Sequence, residues 1–358
     1  MTKKVMVAVS GGVDSLAAVI LLKDEGYEVC AVTFLLTDKM MANAKRARGL
    51  CDRLGVEHRV VDWRELFERE VREEFSREIL SGRTPNPCVV CNRVVKFGAF
   101  AEYARAEGFM AIATGHYVRK DASGKILAGD SRKDQTYFLC DSRREDLKMA
   151  IFPLGDRSKE EIRSIVERAG FAKDFACEKE SQDICFVETS YVSEVERFVG
   201  KTGLHKDGFE AGDFVLEGTR EVLGRHEGFV RYTVGQRKGM GIAYSEPLYV
   251  TRIDSDKREV LVGRSEDLMS MGLVATDLNV IDEELWQEGL KDARLTAKIR
   301  YSRDRHEALS VLLWSREGFE IVEVRFAKKV RAVTPGQWIC FYFEDFLVAG
   351  ARIISKLQ

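Results

Sequence analysis

The sequence predicts an α/β chain: a doubly wound parallel sheet first, then a small β-rich central domain and a C-terminal β-barrel. Three observations predict it. From residue 4 to residue 114, short apolar runs rich in β-branched residues alternate with helical stretches at the spacing of successive βα units. A glycine turn, Ser10-Gly11-Gly12-Val13-Asp14-Ser15, joins the first such run to the first helical stretch. Around residue 200 glycine becomes frequent and short alternating segments replace long helices, the pattern of antiparallel β structure.

Taken in order, Lys4 to Val9 reads as a buried parallel strand and Leu16 to Lys23 as a helix that stops near Gly26. Val29 to Leu36 is the second strand. Met40 to Leu54 is a helix ending at Gly55, with Ala44, Ala47, Leu50, Cys51 and Leu54 on its inner face. Glu57 to Val61 is a third strand, and Glu65 to Leu80 a long charged helix that stops at Ser81-Gly82. Val95 to Glu107 is another helix, and Met110 to Thr114 the fourth strand. Ser10, Phe34 and Gly115 fall just past strand ends, where open α/β sheets bind ligands, so they are expected to share one crevice. In the second half, residues 214–216, 248–250, 260–262, 296–301, 309–314, 319–326 and 338–343 read as strands. These shifts divide the chain at 1–200, 201–266 and 267–358.

A chain of 358 residues with 45% hydrophobic content is long enough for two or three ordinary globular cores. It contains no run of eighteen apolar residues, which excludes a helical membrane span. Met1-Thr2-Lys3-Lys4 runs directly into the first strand, so no signal peptide and a cytoplasmic location are expected. Eight cysteines, two of them in Cys88-x-x-Cys91, argue against a disulfide scaffold and for thiol chemistry or metal. A net charge of −2 does not advertise nucleic-acid binding. Basic segments nevertheless recur at 45–48, 132–133, 143–144, 237–238, 298–305 and 328–331, with Tyr301 and Trp338 nearby for base stacking, which makes an RNA surface reasonable.

The glycine turn carries the first chemical signal. Strand, glycine turn and helix bring backbone N–H groups close to an anion. Asp14 cannot hold an anion by itself; in a phosphate site it suits a magnesium ion that bridges phosphates. The string lacks the Gly-Lys-Ser/Thr of a Walker loop and the G-x-G-x-x-G of a dinucleotide fold. It resembles the PP-loop of ATP pyrophosphatases, which cleave ATP between the α and β phosphates and adenylate a carbonyl oxygen. The second signal is Thr84-Pro85-Asn86-Pro87-Cys88-Val89-Val90-Cys91-Asn92, where two prolines stiffen a loop and Cys91 lies near a helix start that favours a thiolate. The third is Cys185, in the polar setting Glu180-Ser181-Gln182-Asp183-Ile184-Cys185-Phe186.

Together these stretches are similar to the bacterial tRNA-specific 2-thiouridylase family, which makes 2-thiouridine at the wobble position of certain tRNAs. The resemblance includes Gly82 to Pro87, Cys91-Asn92, Lys96-Phe97, Ala113 to Tyr117, Lys133-Asp134-Gln135 and Ile184 to Phe186. In the second half it adds Gly235 to Gly241, Lys298 to Tyr301 and Ala332 to Gln337. It implies that Ala8, Val9, Ser10, Gly11, Gly12, Val13, Asp14, Ser15, the Phe34 backbone and Gly115 bind ATP. Cys91 takes the nucleophile's place, Cys185 that of the persulfide carrier, and Asp14 holds magnesium. Asn86, Pro87 and Cys88 would contact the target base, and His116, Lys133, Asp134, Gln135, Arg300, Tyr301 and Gln337 the tRNA. A sulfur-donor protein or sulfide is the further partner.

Two departures stand out. Cys88 occupies a position that is an aspartate in well-known members, so Cys88, Cys91 and Cys185 could ligate a [4Fe–4S] cluster with one iron open; the Cys-x-x-Cys spacing favours that reading over a persulfide on the same residues. Leu35 to Met41 replaces a longer acidic insertion after Phe34. Cys30 and Cys51 read as core, Cys140, Cys177 and Cys340 as structural, and Asp183 either as orienting the Cys185 thiol or as a capping or solvent-facing residue. The alternatives are a PP-loop enzyme making another thiolated tRNA base, and a non-catalytic RNA-binding iron–sulfur protein.

Overall fold

The computed structural model describes residues 3–129, 133–176, 184–204, 206–316 and 318–357. The first sheet is built from β1 (Lys4–Ala8), β2 (Glu28–Leu35), β3 (Glu57–Asp62), β4 (Ala111–Ala113) and β7 (Ala150–Ile151), in the order β3-β2-β1-β4-β7. All its pairings are parallel. Alternation along β1 divides its side chains between two cores. Val5 and Val7 pack with Ala18, Val19, Leu22, Ala47 and Cys51 of helices α1 (Val13–Asp24) and α2 (Met40–Leu54). Met6 packs on the other face with Phe97, Phe100 and Ala104. Strand order reverses between β1 and β4, and the glycine turn and Gly115 follow these two strands.

The helical region before β4 begins earlier than the sequence pattern suggests. Helix runs from 87 to 106, eight residues ahead of the expected start, with a π-helical stretch Asn92–Ala99 in its middle. Asn86 is the N-cap, its side chain accepting from the Cys88 N–H at 3.2 Å, and Pro87 sits in the first turn, where its missing N–H costs nothing. The two prolines thus start a helix as well as stiffen the loop before it.

Residues after 206 form two further β units. One is a four-stranded sheet in the order β10-β11-β8-β9, from β8 (Gly212–Leu216), β9 (Val222–His226), β10 (Tyr249–Asp254) and β11 (Glu259–Gly263). The other is a barrel of β12 (Met269–Val280), β13 (Leu295–Lys298), β14 (His306–Arg316), β15 (Phe319–Arg331), β16 (Trp338–Phe343) and β17 (Phe346–Lys356), closed by the β12–β17 pairing. The strand expected over 296–301 ends at Lys298, which leaves Arg300 and Tyr301 in a bend. Trp338 is 2% exposed and packs in the core under the Arg352 guanidinium, so it offers no ring for base stacking.

A hairpin from the first part, β5 (Val118–Lys120) and β6 (Ile126–Ala128), extends the barrel sheet, with Leu127 opposite Phe346. Tyr137, Cys140, Trp338, Cys340 and Tyr342 share one core with Met6 and Val32. Among the described residues, no helix is long and apolar enough to cross a membrane.

Candidate active site

A cavity of about 1080 Å³ opens at the reversal of strand order. The glycine turn lines one side, from Ser10 to Ser15. Gly11 has φ +84°, a conformation that favours glycine, and the Ser15 hydroxyl donates to the Gly12 carbonyl at 2.9 Å. Gly115 closes the turn from below: a Cβ there would lie 3.1 Å from the Asp14 carbonyl carbon and 3.2 Å from the Ser15 nitrogen. Asp14 faces the cavity, but its carboxylate is already engaged. Lys159 Nζ lies 2.7 Å from both oxygens and the Tyr117 hydroxyl donates at 2.8 Å. Lys159 carried no sequence signal; Asp14 and Lys159 are brought together by tertiary packing of residues 145 apart.

Ala8 ends the first strand and Val9 follows it; neither lines the cavity. Phe34 departs from expectation. It lies inside β2 rather than past its end, and its ring packs on Trp63 at 4.8 Å and Phe100 at 4.9 Å, outside the cavity lining.

The helix 87–106 supplies the opposite wall through Cys88, Asn92 and Lys96, spaced four apart and therefore on one face. Asn92 is 1% exposed, donates to the Phe138 carbonyl at 3.2 Å and leaves its Oδ1 without a partner among the described residues. Pro87 is buried in the first turn, and Asn86 is committed to capping it. Cys91 is 7% exposed; burial pushes its thiol up to about 12, with the Lys96 charge opposing. Cys185 is exposed, and its thiol is raised by desolvation among neighbours, again opposed by Lys96. Cys88, Cys91, Cys185 and Lys96 are thus within electrostatic reach of one another.

His116 lines the same wall, its Nδ1 bonded to the Thr114 hydroxyl at 2.8 Å. Burial, reinforced by Lys96, holds it well below the ordinary histidine range, so it is neutral at physiological pH. Among the described residues, no three His, Cys, Asp or Glu side chains gather closely enough to hold a metal ion. Cys177 and Asp183 lie outside the described residues.

The expected RNA-contacting residues separate into two groups. Lys133, Gln135 and Tyr301 line the cavity, and the Tyr301 ring lies 4.5 Å from that of Phe138. Arg300 is exposed beside them, bonded to the Arg331 carbonyl. Asp134 is drawn inward. Its side chain is 5% exposed, 2.6 Å from the equally buried Lys298, and accepts from the Thr136 hydroxyl at 2.6 Å. Gln337 also works inside the joint, its Nε2 donating to the Thr84 carbonyl at 2.7 Å. Cys30, Cys51, Cys140 and Cys340 are buried, as their apolar settings suggest.

Comparison with known proteins identifies the family. Residues 3–189 match the tRNA methyl transferase HUP domain, 204–264 the tRNA methyl transferase PRC-barrel domain and 270–353 the aminomethyltransferase beta-barrel domain. The chain is 38% identical over 356 residues to the tRNA-specific 2-thiouridylase MnmA 1 of Fusobacterium nucleatum, covering 99% of this chain and 93% of that one. This chain belongs to the tRNA-specific 2-thiouridylase family. The thiouridylase MnmA of Carboxydothermus hydrogenoformans is likewise 38% identical, over 99% of this chain and 98% of its own. A solved 4-thiouridine synthetase–RNA complex with bound ATP is 16% identical, with a TM-score of 0.35 over 56% of this chain and 51% of that one.

Proposed function

We propose that this thiouridylase-family chain is an ATP-dependent tRNA sulfurtransferase that adenylates C2 of the wobble uridine, position 34 of the tRNA, and replaces its oxygen with sulfur. The observation that carries this reading is one cavity lined both by the glycine turn and by the helix bearing Cys88 and Cys91. Activation and sulfur delivery then act on the same bound atom. The uridine oxygen attacks the α-phosphorus of ATP, and pyrophosphate leaves with the electron pair. The glycine turn of residues 10–15 would meet the phosphates with its remaining backbone N–H groups, where preorganised donors stabilise developing charge. Asp14 is a hard oxygen donor of the kind magnesium takes beside phosphates, and the bound ion would offset pyrophosphate charge.

Sulfur arrives as a persulfide on Cys185, loaded by a sulfur-donor protein. Its terminal sulfur attacks C2, and AMP leaves. The Cys91 thiolate then attacks the Cys185 sulfur, the S–S bond breaks toward the base, and a Cys91–Cys185 disulfide remains for a thiol reductant to reopen. Exposure of Cys185 suits loading by a partner, and burial of Cys91 suits a thiol that reacts after the base is seated. Lys133, Gln135, Arg300 and Tyr301 meet the tRNA, whose uridine must be splayed out to reach the cavity. Asp134 and Gln337 hold that surface from beneath. The divisions of the chain fall near residues 200 and 266, and the enzyme works in the cytoplasm.

Mass spectrometry of tRNA nucleosides from a deletion strain tests this. Loss of 2-thiouridine derivatives, restored by the intact gene but not by Cys185→Ser, supports the reading; unchanged 2-thiouridine ends it. Iron and sulfide analysis of anaerobically purified protein tests the sulfur route. Iron-free protein that thiolates tRNA at full rate is expected, and activity strictly dependent on stoichiometric iron would overturn the persulfide scheme.

A further inference from the structure

The helix Lys159–Val166 supplies Lys159, Arg163 and Val166 to the cavity lining. Its start is fixed by a capping box: the Ser158 hydroxyl accepts from the Glu161 N–H at 3.2 Å, and the Glu161 carboxylate accepts from the Ser158 N–H at 2.6 Å. Ile162, Ile165 and Val166 share a core with Leu16, Ala17 and Ile20 of α1, which docks this helix on the one that follows the glycine turn. Lys159 and Arg163, four apart, therefore stand on one face toward the cavity, with Glu167 a turn further along. Lys159 is the enclosed cation, its side chain 12% exposed against 33% for Asp14. Its Nζ meets both Asp14 oxygens at 2.7 Å, and the Tyr117 hydroxyl donates to Oδ1 at 2.8 Å. The apolar core between the two helices already holds them together, so bracing them does not require this ion pair. The pair instead stands in the cavity, at the turn where polyphosphate charge would lie. A polyphosphate beside an unanswered carboxylate is repelled, whereas exchanging one charged hydrogen bond for another leaves the ammonium satisfied.

We infer that Lys159 is the catalytic cation for the departing pyrophosphate, and that Asp14 holds it in reserve until a polyphosphate arrives. The inference rests on the ATP-dependent reading above. As the uridine oxygen bonds to the α-phosphorus, the bond from that phosphorus to the bridging oxygen breaks. Its electron pair goes to pyrophosphate, where the ammonium meets the new charge. The ammonium thus has an anion beside it at every stage, Asp14 first and phosphate oxygens afterwards. A cation that takes the Asp14 oxygens releases Lys159 in the same event. Arg163 extends the cationic face along the helix.

The test is calorimetry on the full-length protein in magnesium-free buffer, with ATP, inorganic pyrophosphate and AMP as probes. It compares wild type, Lys159→Met, Lys159→Arg and Asp14→Asn, each confirmed as folded by its thermal melt. Loss of one charge-assisted hydrogen bond is about ten- to hundredfold in affinity. Lys159→Met should weaken ATP and pyrophosphate by about that factor and leave AMP within about twofold, and Lys159→Arg should recover most of the loss. Asp14→Asn keeps the ammonium and removes the anion that competes for it, so it should bind pyrophosphate about tenfold tighter than wild type. The opposite signs are decisive, because a pair that only braces the turn weakens every probe whichever partner is removed. Unchanged pyrophosphate affinity in Lys159→Met, an equal loss for AMP, or an Asp14→Asn protein that binds pyrophosphate no tighter than wild type overturns the inference. Asp14→Asn decides alone should Lys159→Met not fold. Wild type that binds no ATP even with magnesium restored would instead end the ATP-dependent reading, which keeps the two failures apart.

Discussion

Replacing Lys298 by methionine strands a carboxylate inside the joint between the barrel and the first part of the chain. The Lys298 and Asp134 side chains are 4% and 5% exposed and lie 2.6 Å apart. Removing one partner of a buried ion pair costs about 3–5 kcal/mol, because the remaining charge stays desolvated. Asp134 keeps the Thr136 N–H at 3.0 Å, the Thr136 hydroxyl at 2.6 Å and the Gly129 N–H at 3.3 Å, which puts the loss at the low end. About 3 kcal/mol corresponds to a fall in melting temperature of roughly 6–12 °C for a cooperative unit of ordinary domain size. The assay is thermal unfolding of wild type, Lys298→Met and Lys298→Met/Asp134→Asn at pH 7. The double variant should recover at least half of the loss, since the stranded charge is gone.

The sign of the pH dependence follows from the same pair. Burial alone would raise the Asp134 carboxyl, but Lys298 and Thr136 outweigh it and hold it below the usual range. A depressed carboxyl contributes its full stability above the unfolded value near 4 and loses it as pH falls through the folded value. The gap between wild type and Lys298→Met should therefore close in acid. A single variant melting within about 1 °C of wild type at pH 7, or a double variant no better than the single, would refute the reasoning.

Three further outcomes are expected. Gly115→Ala places a Cβ 3.1 Å from the Asp14 backbone, so ATP affinity by calorimetry should weaken about tenfold, and an unchanged affinity would show that the turn tolerates the shift. In the native protein, iodoacetamide should label Cys185 well before Cys91, whose thiol is buried and pushed up to about 12; equal labelling would contradict the packing. His116 is held neutral, so its folded pKa lies below the unfolded value, and wild type should lose stability relative to His116→Asn as pH falls from about 6.5 to 5; parallel curves would exclude a depressed imidazole.

The parallel sheet, α2 and the glycine turn were legible because each has a strong local pattern, and Ala44, Ala47, Leu50 and Cys51 are buried where their spacing puts them. The start of the cysteine helix was not read, although Asn86 followed by Pro87 is itself a start signal, a cap and then a residue preset for the first turn. β12 and β17 are not legible in the sequence because glycines and small residues interrupt their alternation. The role of Asp134 was hidden for a different reason: its partner lies 164 residues away, and no local rule predicts such a pair. The same holds for Lys159 beside Asp14.

The β5–β6 hairpin has a consequence for synthesis. Its sheet neighbour, Phe346, is translated roughly two hundred residues after Leu127, a long-range contact of the kind that slows folding. Trp338, Cys340 and Tyr342, which complete the core beneath β1, also leave the ribosome near the end. Until then the nascent chain carries an open sheet edge and an unfilled apolar face, the features that attract aggregation and chaperones. An early stop codon would therefore remove more than the barrel, because it would leave the parallel-sheet part of the chain without the last piece of its own interior.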